Sequence, residues 1–188
     1  MLPEVDRIIS AIEKAQNDWT DWDWANAFQD HDGETYFLEG SGSATEEMPQ
    51  EVQEEAELYS RRVQEDAKSA SKYGDAAIKA LKKDDLNTAM EELESASSTE
   101  QNWGSDPVWG VPRKQLEKLL TDLELRFDDA LDTINLDVDD PIDYEFTDTN
   151  LITLKWDGKK KAVNLLKSVM ILESKSLKDP EEFWSLIK

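Results

Sequence analysis

The sequence predicts a mainly helical fold with a small antiparallel β element, an α+β chain of helical hairpins followed by a C-terminal β-hairpin. Apolar residues recur at three- and four-residue steps over most of the chain. Only two short stretches, at 35–38 and 143–156, read as strands. Asp-Gly, Gly-rich and Pro-containing signals punctuate these stretches. At 188 residues the chain has room for one ordinary core. We expect one domain over 1–188, whose natural subdivisions are a helical segment 1–45, a helical hairpin region 46–110 and a helix, β-hairpin and helix over 111–188.

Pro3 suits a first helical position, and Val5, Ile8, Ile9, Ile12, Ala15 and Trp19 describe one apolar face, so a helix is expected over about 3–17. Thr20 and Asp23 have the spacing of a capping box, which predicts a short second helix carrying Trp22, Ala25 and Phe28. After the Asp32-Gly33 turn, Thr35-Tyr36-Phe37-Leu38 reads as a strand and Gly40-Ser41-Gly42-Ser43 as a loop. Val52, Ala56, Tyr59, Val63, Ala70 and Tyr73 predict a long helix from Pro49 to Lys72, which Gly74 should end. A helix over about 75–82 and another bearing Leu86, Ala89, Met90, Leu93 and Ala96 should follow as a hairpin around Lys82-Lys83-Asp84-Asp85. The second of these resembles one helix of a tetratricopeptide repeat, but no second copy occurs at the required period.

Trp103 to Pro112 carries too much Gly and Pro for regular structure and two tryptophans, which predicts an ordered, packed connection. Leu116, Leu119, Leu120, Leu123, Phe127, Leu131 and Ile134 then give a helix over 113–134. Residues 143–147 and 151–156 should pair as a hairpin around the three-residue loop Asp148-Thr149-Asn150. Asp157-Gly158 should end it, with a helix over 159–174 and a short last helix opened by Asp179-Pro180.

Charge is the dominant compositional feature. Forty-three acids against 21 bases leave a net charge of −22. Direct binding to nucleic acid or to an anionic membrane is therefore disfavoured, and a basic partner is the natural complement. Sixteen of the bases are Lys, so the surface is not purged of lysine as halophilic adaptation would have it. Cysteine is absent, which excludes disulfides, thiolate metal sites and thiol nucleophiles. The N-terminus lacks a basic region followed by an apolar run, and no stretch reaches the roughly 18 apolar residues of a membrane span. The cytoplasm, of a cell or of a host infected by a phage that encodes the chain, is the expected compartment.

The charge is concentrated in two blocks: 1–58 hold 16 acids and 2 bases, and 119–157 hold 12 acids and 2 bases. Asp122, Glu124, Asp128, Asp129 and Asp132 lie towards the C-terminal half of a predicted helix, where the helix dipole disfavours each exposed anion by roughly 0.3–1 kcal/mol. Asp137, Asp139, Asp140, Asp143 and Glu145 continue the series. Five acids over about 15 Å of helix give about one charge per 3 Å, of the same order as the one per about 1.7 Å along duplex DNA.

Other constellations carry less chemistry. Asp30, Asp32, Gly33 and Glu39 fall at positions 3, 5, 6 and 12 of a calcium loop, but Phe28 occupies the first ligand position and cannot ligate. His31 is the lone histidine, which excludes multi-histidine metal sites. Gly158-Lys159-Lys160-Lys161 lacks the spaced glycine of a phosphate loop. Neither metal nor cofactor is expected, and no catalytic residues are assigned. Trp22 and Trp24 stand two apart, so on one helix they cannot share a core face, and one is a candidate anchor for a protein partner.

These features predict a non-enzymatic acidic inhibitor of a basic, nucleic-acid-binding protein. It would act as a nucleic-acid mimic of the kind mobile elements direct against host restriction or CRISPR machinery. The expected contact residues are Glu124, Asp128, Asp129, Asp132, Asp137, Asp139, Asp140, Trp22 and Trp24. The alternatives are an immunity protein or chaperone for a basic client, and a calcium-binding protein or enzyme that uses the acid clusters.

Overall fold

A computed structural model describes residues 2–20, 27–29, 35–37, 49–101, 108–177 and 179–187. The elements run α1 (Pro3–Thr20), β1 (Ala27–Gln29), β2 (Thr35–Phe37), α2 (Gln50–Leu81), α3 (Leu86–Gln101), α4 (Gly110–Asn135), β3 (Asp143–Asp148), β4 (Leu151–Trp156), β5 (Lys159–Asn164), α5 (Leu165–Ser174) and α6 (Pro180–Leu186). The fold is mainly helical with a small antiparallel β part, as the periodicities predict.

Two of the expected helix boundaries are wrong in an instructive way. Phe28 does not belong to a second helix; it pairs with Tyr36 in the antiparallel β1–β2 ribbon. Trp22 and Ala25 of that expected helix lie outside the described residues; the β propensity of the aromatic residues at 28, 36 and 37 favours the pairing over the capping signal at Thr20. Gly74 does not end α2, which continues to Leu81 and absorbs the separate helix expected at 75–82. Gly74 is buried, and a Cβ built on it would come 2.6 Å from Cη2 of Trp109. The residue therefore leaves room for an indole, where the sequence suggested a helix stop.

The α2–α3 hairpin closes tightly. Asp85 N donates to Ala80 O at 3.0 Å, Asp84 takes a left-handed φ of 60°, and Asp85 Oδ1 accepts from Thr88 N at 3.1 Å as the cap of α3. Of the connection expected over 103–112, residues 103–107 lie outside the described residues; in the described part Trp109 is completely buried. Helix α4 begins at Gly110, ahead of the expected start, because Pro112 falls in its first turn, where backbone N–H groups have no intrahelical partner.

The C-terminal sheet has three strands, in the order β3–β4–β5, where two were expected. Asp157 and Gly158 have φ of 47° and 69°, the two positive values a two-residue hairpin turn needs, so the chain folds back as β5 and the helix starts only at Leu165. Asn164 caps that helix by accepting from Lys167 N at 2.9 Å. The β3–β4 loop is also one residue tighter than expected. Asp148 pairs with Leu151, leaving Thr149-Asn150 as the turn, and a bulge between Phe146 and Asp148 absorbs the offset.

One contiguous cluster of buried side chains draws on every helix from α1 to α6 and on β4 and β5. Its largest fully buried members are Trp109, Phe127 and Phe183. Phe127 of α4 meets Tyr144 of β3 edge-on at 5.2 Å between centroids and lies 6.5 Å from Phe183 of α6. Asn150 joins three elements at one point. It has φ 68°, its Oδ1 accepts from Leu166 N at 3.0 Å and its carbonyl from Leu165 N at 3.0 Å, and its Nδ2 donates to Asp84 O at 3.4 Å. Among the described residues, no helix is long and apolar enough to cross a membrane.

Candidate functional site

Helix α4 exists because Leu116, Leu119, Leu123, Phe127, Leu131 and Ile134 recur on one face and are all buried. Its charges run against its dipole: Arg113 and Lys114 stand in the first turns, and neither the first turn holds an acid nor the last a base. Packing of the apolar stripe holds the helix together despite this. At about 100° per residue, Glu124, Asp128, Asp132 and Asp129 spread over about 140° of the arc opposite that stripe. Glu124, Asp129 and Asp132 are exposed, and Asp128 is half-buried.

The segment after the helix is pinned at both ends. The Asn135 side chain donates to Ile142 O at 3.0 Å and accepts from Ile142 N at 2.9 Å, which closes the loop between them. Trp156 Nε1 donates to Asp140 O at 2.9 Å. The carboxylates of Asp137, Asp139 and Asp140 are exposed on this fixed backbone. None of the seven expected contact acids takes part in an ion pair with a described residue. The two bases of the block are engaged elsewhere. Arg126 binds Glu173 through Nε–Oε1 at 2.7 Å and a second contact through Nη2, with Glu4 at 3.8 Å, and Lys155 lies 3.6 Å from Glu145.

Two of the seven have structural reasons to be acidic that the sequence does not show. Asp128 Oδ1 accepts from the Tyr144 hydroxyl at 2.6 Å. That bond, with burial and the fields of Asp128 and Asp132, pushes the Tyr144 phenol up to about 12. Asp137 sits just past the helix end with φ 58°, a conformation Asp, Asn and Gly tolerate best. For Glu124, Asp129, Asp132, Asp139 and Asp140, no side-chain contact within the described residues explains the acid. Trp22 and Trp24 lie outside the described residues, as does His31. Of Asp30–Glu39, only 35–37 are described, as a strand.

The sequence reading missed two leucines in this surface. Leu125 is 60% exposed and Leu136 is 71% exposed. Leu125 lies on the outer arc of α4 and Leu136 immediately follows the last residue of that helix in an extended conformation, both among the acids. The helical position of Leu125, off the buried stripe, is the signal that would have found it; Leu136, past the helix end, carries no such signal.

Beside this face, Met90 and Glu94 of α3, Glu117, Leu120, Thr121 and Glu124 of α4, and the β3–β4 turn enclose an open cleft of about 520 Å³. No family model, curated protein or solved structure matches the chain.

Proposed function

We propose that the chain is a non-enzymatic binding protein that blocks a basic, nucleic-acid-binding partner by laying the acids of α4 and the 137–140 segment into the partner's basic groove. The observation that carries this reading is that exposed carboxylates without internal partners ride on a backbone clamped by Asn135 and Trp156. A pre-organised surface loses little entropy on binding, and side chains held against a helix dipole gain most from an external cation. The fitting biological setting is counter-defence by a mobile element, where occupying a basic groove is enough to disable an effector.

A second reading, an immunity protein or chaperone for a basic client, is favoured by Leu125 and Leu136, since apolar contact serves a client's surface better than a phosphate-binding groove. One experiment separates the two. A partner captured from the native host with the wild-type chain is loaded with nucleic acid, and the chain is titrated in. The mimic releases the nucleic acid competitively, and its association slows steeply with added salt. A chaperone binds without release. An association rate indifferent to salt would count against the mimic and point to an apolar interface.

A further inference from the structure

We propose that the cleft between α3, α4 and the β3–β4 turn receives an arginine side chain of the partner protein. The inference rests on the reading of the partner as basic and names the group that is recognised. The cleft joins two chemistries. Glu94, Glu117, Glu124 and Asp148 supply carboxylates, while Met90, Leu120 and Phe146 supply an apolar lining, and no Lys or Arg lines it. Glu117 is taken by Arg113, whose Nη1 lies 2.7 Å from its Oε1. Glu94, Glu124 and Asp148 have no ion pair with any described residue. Phe146 meets Tyr144 edge-on at 5.5 Å and remains 37% exposed.

A guanidinium suits this combination better than an ammonium or a metal ion. It is planar, it spreads five donors over several carboxylates at once, it is weakly hydrated, and it is attracted to aromatic rings. Its aliphatic stem can lie on Leu120 and Met90. A hard cation would need converging ligands, and no group of three or more acids or histidines among the described residues is placed to hold one. The wall formed by the β3–β4 turn is fixed in advance, because Asn150 is tied to Leu165, Leu166 and Asp84. An arginine seated here is withdrawn from phosphate contacts, which links the cleft to blocking.

The test is titration of the isotopically labelled full chain, followed by NMR, with two capped glycine-flanked peptides of equal charge, one carrying two arginines and one carrying two lysines. The arginine peptide should shift the amides of Glu94, Thr121, Glu124 and Phe146–Asn150 saturably, and bind several-fold tighter than the lysine peptide. The double variant Glu94→Gln/Glu124→Gln should weaken it by about tenfold, and Phe146→Leu should erase the preference for arginine. The amide variants keep the test decisive if Phe146→Leu fails to fold. Shifts spread evenly over all exposed acids, or equal binding of both peptides that is insensitive to Glu94→Gln/Glu124→Gln, would overturn the proposal. Saturable arginine binding by a chain that never displaces nucleic acid would sink the proposed function and leave the cleft standing.

Discussion

Between β5 and the end of α6, several charged side chains are engaged by the fold itself. Lys161 Nζ donates to Trp184 O at 2.8 Å and to Ile187 O at 3.1 Å and lies 4.7 Å from the Trp184 ring centroid. Asp179 caps α6 by accepting from Glu182 N at 2.9 Å, and Glu173 holds Arg126. On the outer arc of α4 the acids are more numerous, yet among the described residues only Asp128 accepts a hydrogen bond from another element. The contrast separates charge that stabilises the native state from charge that the native state merely tolerates. It also says where substitution should cost stability and where it should not.

The largest expected effect lies at the joint between the two regions. Asn150→Ala removes the acceptor for the buried Leu166 N–H and places a non-polar side chain at a positive φ, so it should cost about 3 kcal/mol in denaturant unfolding. Lys161→Met keeps the aliphatic stem and loses two charged hydrogen bonds and the contact with the Trp184 ring. It should cost about 1–2 kcal/mol. A value near zero for either would break the distinction from the structural side.

Arg126→Met should cost less, about 0.5–1 kcal/mol at low salt, because the pair with Glu173 is partly exposed. Its pH dependence has a definite sign. The Arg126 guanidinium holds the Glu173 carboxyl below its ordinary range. The pair's contribution is therefore present above the unfolded carboxylate pKa and is lost as the pH falls through the lower folded value. The Arg126→Met protein should accordingly approach wild type in acid.

Asp128→Asn should have the smallest effect on stability and a clear spectroscopic one. With the carboxylate gone, tyrosinate absorbance should show Tyr144 titrating nearer 10 than its value of about 12. Because the folded value is the higher one, the contribution of this hydrogen bond is complete below pH 10 and disappears as the pH rises towards 12. An unchanged titration would mean that Asp128 belongs with the unpartnered acids after all.

Much of this was legible in the sequence. The apolar stripes of α1, α3 and α4 locate those helices, and Asp179-Pro180 locates α6, because burial of one face dominates helix placement in a chain of this length. The errors cluster where a local signal has two meanings. Gly74 looks like a stop, but the missing Cβ makes room for Trp109, a residue 35 positions further on. Asp157-Gly158 looks like an end, but two positive φ values make it a hairpin that recruits three lysines into a strand. The acid series of 124–140 was visible as composition. The Asn135 clamp, the Asp128–Tyr144 bond and the cleft were not, because each joins residues through tertiary folding that no spacing encodes.

The central claim is that the unpartnered acids serve a partner and not the fold. The most direct measurement takes the combined variant Glu124→Gln, Asp129→Asn, Asp132→Asn, Asp139→Asn, Asp140→Asn and follows, in one preparation, its denaturant unfolding and its release of nucleic acid from the captured partner. The account predicts an unfolding midpoint equal to or above wild type, since repulsion and the unfavourable dipole interaction are relieved, together with loss of release that deepens as more of the five are replaced. A midpoint that falls in step with the loss of release would show that these carboxylates hold the fold, and would contradict the claim.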